Sequence, residues 1–285
     1  MAPIDINNQE IGSVTVNGTE VQEITVDGDV VFTAGVNRPS ADSYWDFSAQ
    51  SISGNSVGDT ILDVEGNNTL TVGGDEGVTN VSSFDAEYDE AIDHGNSFGD
   101  SGDLRAYLYN NNIGQGWLQS HTVAFWWKPG DPAGTDNESN SGVYKFDTQL
   151  GNYSSYSDGF GIQFSQKARD NGGNITTYSL NANSRFDFSI NDGPKNGSNT
   201  WFYIVSRFDS GTRFNFRVYE EGQGLIGEYN DTSPPIGKSI GNDVTFVLTG
   251  GISSEDILGF FDEAGLWNRF LSDSEVDELY DTYGQ

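Results

Sequence analysis

The sequence predicts an all-β protein: one large two-layer sandwich, a short C-terminal helix, and a small β-meander arm in front. Three observations predict it. Aromatics make up 13% of the 285 residues and glycines number 36, a mixture that suits many strands joined by tight turns. Near the N-terminus, Asn17-Gly18 and Asp27-Gly28 sit between alternating apolar runs, which is the two-residue hairpin signature twice over. Toward the C-terminus, the run Gly259 to Tyr280 passes from strand-like alternation to helical spacing. Cysteine is absent, so disulfides and thiolate chemistry are excluded and a buried core must supply stability.

Residues 1 to 35 read as a three-stranded meander. Three short strands alone are marginal, so this arm is expected to dock on the sandwich or on a neighbouring chain. Residues 36 to 42, VNRPSAD with Pro39, form a polar linker, and the sandwich runs from residue 43 to 285. Within it, HTVAFWWKP (121 to 129) and TWFYIVSRFD (200 to 209) are dense apolar strands, which makes Trp126, Trp127 and Trp201 core residues. TRFNFRVYE alternates cleanly, with Phe214, Phe216 and Val218 on one face and Arg213, Asn215 and Arg217 on the other. Residues 260 to 267 alternate too, with Asp262, Ala264 and Leu266 on one face and Phe261, Glu263 and Trp267 on the other. Ser272 and Glu275 then make a capping box, and Leu271 packs on Val276 as the hydrophobic staple. Val276, Leu279, Tyr280 and Tyr283 recur at helical spacing, and Gly284 is placed to end the helix.

The closing run GFFDEAGLWNRFLSDSEVDELY resembles the last strand and helix of concanavalin A-like sandwiches of the laminin-G and pentraxin type. Gly259, Asp262, Glu263, Trp267, Asn268, Arg269, Leu271, Ser272, Glu275, Leu279 and Tyr280 fall on that pattern in register. SYWDF (43 to 47) resembles the family's first strand, and ILDVEGNNTLTV (61 to 72) its D-x-S-G-N-x-N turn, with Glu65 where serine is usual. The resemblance implies a concanavalin A-like jelly-roll sandwich. It also implies a structural Ca²⁺ shared by Asp46, Asp63 and Asp262, with backbone carbonyls from glycine-rich turns completing the shell. A second reading of Asp262 stands beside this one: it accepts hydrogen bonds from backbone N–H groups or pairs with Arg269. The arm is similar to N-terminal arms of surface and tail proteins of haloarchaeal tailed viruses, in which V-x-V-N-G-x-x-V-x-x-I-x-V-D-G-x-x-V recurs.

Charge sets the next bound. Forty-three Asp+Glu against thirteen Lys+Arg give a net charge of -30 and a pI near 4.1. At molar ionic strength the Debye length falls to about 3 Å, and a dense carboxylate surface then stops opposing the compact state. The source is therefore read as a halophile, against the alternative of a moderately acidic secreted or viral protein. Nucleic acid and anionic membrane are not expected as partners, since both would be repelled. No apolar run approaches the ~20 residues of a membrane span. The start MAPIDINNQE has neither a basic nor an apolar stretch, so no secretory signal is expected. An extracellular role would then need another exit route, and release in a virion from a lysed cell is one; the arm's resemblance implies that setting, a virion surface and, after release, the extracellular space in high salt.

Candidate chemistry is sparse. The acids Asp85, Glu87, Asp89, Glu90 and Asp93 do not make the E-x-D-x-x-E of a laminarinase-type hydrolase and read as a solvated loop. Of the two histidines, His94 and His121, each is read as a surface or strand-end imidazole, which leaves a hydroxyl–histidine triad little to build on. No nucleotide-binding glycine motif is present. Loops 131 to 142, 149 to 158 and 167 to 175, rich in Gly, Asn, Ser and Asp, are where binding is expected. Tyr153 and Tyr156 in GNYSSYSDG are candidates for stacking on a sugar ring, against the alternative of ordinary rim tyrosines. Arg213 and Arg217 are candidates for an acidic or sulfated glycan, against the alternative of salt bridges to neighbouring carboxylates.

These readings converge on a non-enzymatic virion surface protein, a tail fibre, turret or decoration subunit, whose lectin-like domain binds host surface glycan or surface-layer glycoprotein. The arm would hold other virion proteins, and a homo-oligomer is expected. A decoration subunit without ligand and a glycan hydrolase are the alternatives. The charge excess yields a direct prediction. Transfer from about 2 M to about 0.1 M salt is expected to unfold or dissociate the protein, as the screening length grows to about 10 Å and neighbouring carboxylates then repel. A melting temperature unchanged between the two would refute the halophilic reading.

Overall fold

The computed structural model describes residues 14–16, 19–21, 23–26, 29–33, 39–47, 58–66, 68–73, 92–93, 107–111, 113, 119–129, 140–147, 160–165, 175, 177–181, 185–195, 198, 200–236, 244–248 and 259–283. Among them, the arm holds β1 (Val14–Val16), β2 (Thr19–Val21), β3 (Glu23–Val26) and β4 (Asp29–Thr33). β1 pairs with β2 and β3 with β4, each antiparallel across the two residues read as a turn, Asn17-Gly18 and Asp27-Gly28. The expected three-stranded meander is thus corrected to two separate two-stranded ladders. The one residue between Val21 and Glu23 is too short a link for a hairpin turn joining β2 to β3.

The remaining strands build two antiparallel sheets. One contains β5 (Ser43–Trp45), β8 (Ile92–Asp93), β10 (Ser120–Pro129), β15 (Phe202–Asp209), β16 (Arg213–Glu220), β17 (Gly224–Asp231) and β19 (Gly259–Trp267), in the order β17-β16-β15-β10-β19-β5, with β8 also on β19. The other contains β6 (Thr60–Ile61), β7 (Leu70–Gly73), β9 (Tyr107–Asn110), β11 (Asn140–Asp147), β12 (Phe160–Ser165), β13 (Thr177–Asn181), β14 (Arg185–Ser189) and β18 (Thr245–Leu248), in the order β14-β13-β12-β11-β18-β9-β7-β6. The protein is an all-β sandwich closed by one C-terminal helix, α1 (Asp273–Tyr283).

Alternation divides the apolar residues between two cores. Phe202, Ile204 and Phe208 of β15, Phe214, Phe216 and Val218 of β16, and Val123, Phe125 and Trp127 of β10 point between the sheets. Tyr203, Val205, Tyr219, Ala124 and Trp126 point the other way, where they meet Trp201, Trp267, Leu271, Val276 and Leu279 in an outer core beneath α1. The three tryptophans expected to be core are all buried, Trp127 in the inner core and Trp126 and Trp201 in the outer one. His121 is at a strand end, the second residue of β10, but it is fully buried and not at the surface, its Nε2 3.2 Å from the Tyr144 hydroxyl, which lies 2.7 Å from Ser206 Oγ. It sits on the inward phase of β10, among Phe146, Phe160 and Phe208.

The alternation expected for β19 is corrected as well. Ala124 pairs with Gly265 but Trp126 pairs with Asp262, so a bulge places one extra residue in β19. Glu263 takes the left-handed backbone there, with φ 49°. A bulge reverses the facing of everything beyond it. Phe261, Ala264 and Leu266 therefore share the inner core, while Asp262 lies opposite Trp126 and faces the outer side.

α1 begins as its sequence dictates. The Glu275 carboxylate accepts the Ser272 N–H at 2.8 Å, and Ser272 Oγ accepts the Glu275 N–H at 3.3 Å. Leu271 and Val276 are both buried as the staple requires. Hydrogen bonding from Arg269 at 2.7 Å, with the cap, holds the Glu275 carboxyl down at about 2. A carboxyl depressed in the fold contributes stability above its unfolded value and loses it as pH falls toward the folded one. Glu275→Ala is expected to destabilise by about 1 kcal/mol, as a lost exposed cap does. It should also flatten the pH dependence of stability between the ordinary carboxylate range and about 2. Denaturant titrations across that window check both.

Candidate ligand-binding face

The outer phase of β15 and β16 carries Arg207, Arg213, Asn215 and Arg217 side by side. Arg207 is buried, with Nε on Asn215 Oδ1 at 2.8 Å, and Nη1 on the Leu271 carbonyl at 2.9 Å and on Asp273 Oδ1 at 2.7 Å. Asn215 passes the network on through its amide to Glu228 at 2.9 Å and Asn230 at 2.7 Å. Arg217 is also buried, with Glu228 at 2.7 Å, Asp273 at 3.1 Å and Asp277 at 3.7 Å. Burial works against the Arg217 charge, but Glu228 and the Tyr219 hydroxyl outweigh it and raise its pKa above the usual arginine value. Burial pulls Arg207 down instead, against Asp273. Asp273 is held below the carboxylate range because the two guanidiniums outweigh its own desolvation.

Of the two readings of the basic stripe, the structure therefore takes salt bridges for Arg217, beneath the first turns of α1. Arg213 stays at the surface, with 51% of its side chain exposed. It lies at the start of β16, where the turn Ser210–Thr212, the segment 232–236 after β17 and the loop 268–272 after β19 come to one end of the sheet. Its guanidinium carbon is 3.9 Å from the centre of the Phe270 ring. Arg207 and Phe270 were missed at the sequence level. Arg207 is on the outward phase of its strand and so legible in the alternation, but nothing local marks Phe270 as the ring beneath two arginines. Tyr153 and Tyr156 lie outside the described residues, as do most of the three glycine-rich loops and His94.

The carboxylates proposed for a metal are not brought together, and among the described residues no group of three acidic or histidine side chains is placed to hold an ion. Asp46 follows β5, half-buried beside Phe47. Asp63 is saturated by backbone: Oδ1 accepts the N–H groups of Tyr44 at 2.9 Å, Glu65 at 3.1 Å and Gly66 at 2.7 Å, and Oδ2 accepts that of Asn68 at 3.0 Å. Asp262 Oδ1 accepts the Glu263 N–H at 2.8 Å, capping the bulge. Arg269 goes to Glu275 instead of Asp262. Asp63 thus ties the β6–β7 turn to β5, and a side chain at Gly66 would collide with the Asp42 carbonyl.

No protein-family model matches the chain, and no curated protein sequence matches it. Solved structures do share its fold. It is similar to Trypanosoma rangeli sialidase in complex with the inhibitor DANA, at 12% identity and TM-score 0.52, over 93% of this chain and 36% of the sialidase. It is similar to the binding domain of botulinum neurotoxin DC in complex with rat synaptotagmin II, at 15% identity and TM-score 0.54, over 86% of this chain and 52% of that one. The same toxin domain in complex with SialylT matches at 15% identity and TM-score 0.53, over the same 86% and 52%. At these identities the likeness shows the fold, an all-β sandwich.

The Asp63 geometry makes a prediction that separates a backbone clamp from a metal ligand. Asp63→Asn keeps one acceptor oxygen but turns an amide NH₂ toward an N–H donor, so it is expected to destabilise by about 1–3 kcal/mol. The loss should be the same with and without a calcium chelator at fixed ionic strength. A chelator-sensitive melting temperature in the parent that disappears in Asp63→Asn would instead assign the carboxylate to a bound ion.

Proposed function

We propose that this chain is a non-enzymatic glycan-binding module displayed on the surface of a halophilic virus, recognising host surface glycan or surface-layer glycoprotein. The observation that carries the glycan reading is the sandwich itself. The fold is shared over 86% of the chain with a toxin binding domain that has been solved with SialylT. Sandwiches of this kind display their loops at the ends of rigid sheets, and here one such end presents an exposed arginine stacked on an aromatic ring. The setting rests on two other observations. A net charge of -30 suits molar salt, and the arm's short hairpins, too small to fold alone, suit docking on other virion proteins or further copies of the chain.

A glycan array run in about 2 M salt, with turnover of the bound oligosaccharides followed in parallel, tests the function. Binding without turnover is the expected result. Turnover would make the protein a hydrolase, and absence of both would leave a decoration subunit. Mass-spectrometric identification of the assembly it purifies with tests the setting separately.

A further inference from the structure

Acidic side chains outnumber basic ones by forty-three to thirteen, so an arginine has carboxylates to choose from. Arg207, Arg217 and Arg269 each hold a carboxylate oxygen at 2.7 Å. Arg213 does not. Its nearest carboxylate oxygen, Asp209 Oδ2, is 3.4 Å from Nε, and among the described residues Asp209 is the one hydrogen-bond partner of its guanidinium. What positions the group is a ring: the guanidinium carbon lies 3.9 Å over half-buried Phe270, which Arg207 also contacts at 4.8 Å. Stacking of this kind orients the planar fork while leaving its in-plane N–H groups for an oxygen ligand. Beside it, the turn Ser210–Thr212 carries Gly211 at φ 64°, and Ile236, 66% exposed, rests against that glycine.

We infer that Arg213 and Phe270 form an anion-recognising subsite for an acidic sugar, the carboxylate or sulfate ester taking the Nη edge while Nε stays toward Asp209. The inference rests on the glycan-binding reading and names its ligand class. Recognition is short-ranged by necessity. At low ionic strength the -30 charge of the whole protein repels an acidic glycan, whereas at molar salt that repulsion is screened within about 3 Å and the bidentate contact remains. Affinity for an acidic glycan should therefore rise with salt while the protein stays folded, opposite to the usual dependence of charge-mediated binding.

Side-chain Nε–H resonances of the folded protein in about 2 M salt, titrated with glucuronic acid, galactose 6-sulfate, glucose and acetate, test the subsite. Both acidic sugars are expected to move the Arg213 resonance, acetate to move it only at higher concentration, and glucose to leave it in place. The relative size of the two shifts tells carboxylate from sulfate. Arg213→Ala should lose about tenfold or more in affinity for acidic oligosaccharides, the value of one charge-assisted hydrogen bond. Arg213→Lys, which keeps the charge without the fork, should also weaken binding. The melting temperature of each variant shows that the exposed position was changed without loss of fold. Failure of both acidic sugars to shift Arg213, or full affinity in both variants, overturns the subsite. If the array then shows glycans whose binding ignores Arg213, the glycan-binding reading stands alone. A shift by the acidic sugars with no glycan bound on the array supports the subsite and removes the broader reading.

Discussion

Arg207 is the constraint on which the outer half of the molecule depends. A charged side chain only 2% exposed must be compensated where it lies, since an unpaired buried charge is prohibitively costly. Three elements meet that demand at once: Asn215 from the neighbouring strand, the Leu271 carbonyl from the loop after β19, and Asp273 from the first turn of α1. The compensation thereby fixes where the helix sits. With α1 in place, Val276 and Leu279 close over Trp126, Tyr203 and Tyr219, and the Tyr280 hydroxyl donates to the Glu220 carbonyl at 2.8 Å. The acidic first turn of α1, Asp273 and Glu275, also matches the positive end of the helix dipole, so Asp273 serves both the helix and the sheet.

The same economy explains how a chain with so few cations distributes them. Arg207 and Arg217 lie inside, where their burial leaves each pairing less screened by salt than one between two exposed side chains. The surface keeps the carboxylates, including the exposed edges of Asp273 and Asp277, 68% and 60% exposed. High salt then acts mainly on the surplus outside and little on the network within. Arg213 stands apart because it stacks on a ring, Phe270, and its carboxylate contact, Asp209 at 3.4 Å, is longer than those of the other three.

Asp63 performs for the opposite edge what Arg207 does for the helix. Its two oxygens take four backbone N–H groups from β5 and from the turn, and Trp45 Nε1 donates to the Asn68 carbonyl at 3.0 Å in the same knot. The closing strand is drawn in beside it: Asp42 N–H donates to the Leu266 carbonyl at 3.0 Å, and Trp267 Nε1 to the Pro39 carbonyl at 3.1 Å. Residues 39 to 42, read as linker, are thus already bonded to the sandwich.

What the sequence determined by itself is whatever depends on neighbours along the chain. The period-2 pattern of Phe214, Phe216 and Val218, the capping box of Ser272 and Glu275, the staple of Leu271 and Val276, and the pairing of Val16 with Thr19 and of Val26 with Asp29 in the arm are all where local reasoning puts them. Such features are stabilised within a few residues and need no partner from elsewhere to be legible. Tertiary structure decided the rest. Strict alternation sends Asp262 inward with Ala264, but pairing with β10 inserts a bulge at Glu263 and turns the carboxylate outward, and no local signal marks the extra residue. Likewise, nothing near Arg217 in sequence foretells Asp273 and Asp277, more than fifty residues on, whereas Arg213 on the same face of the same strand stays half-exposed beside Asp209 and Phe270. Face is a property of one strand, but which carboxylates cover it depends on where a distant helix lands, and that was set by the burial of Arg207 and the aromatic outer core.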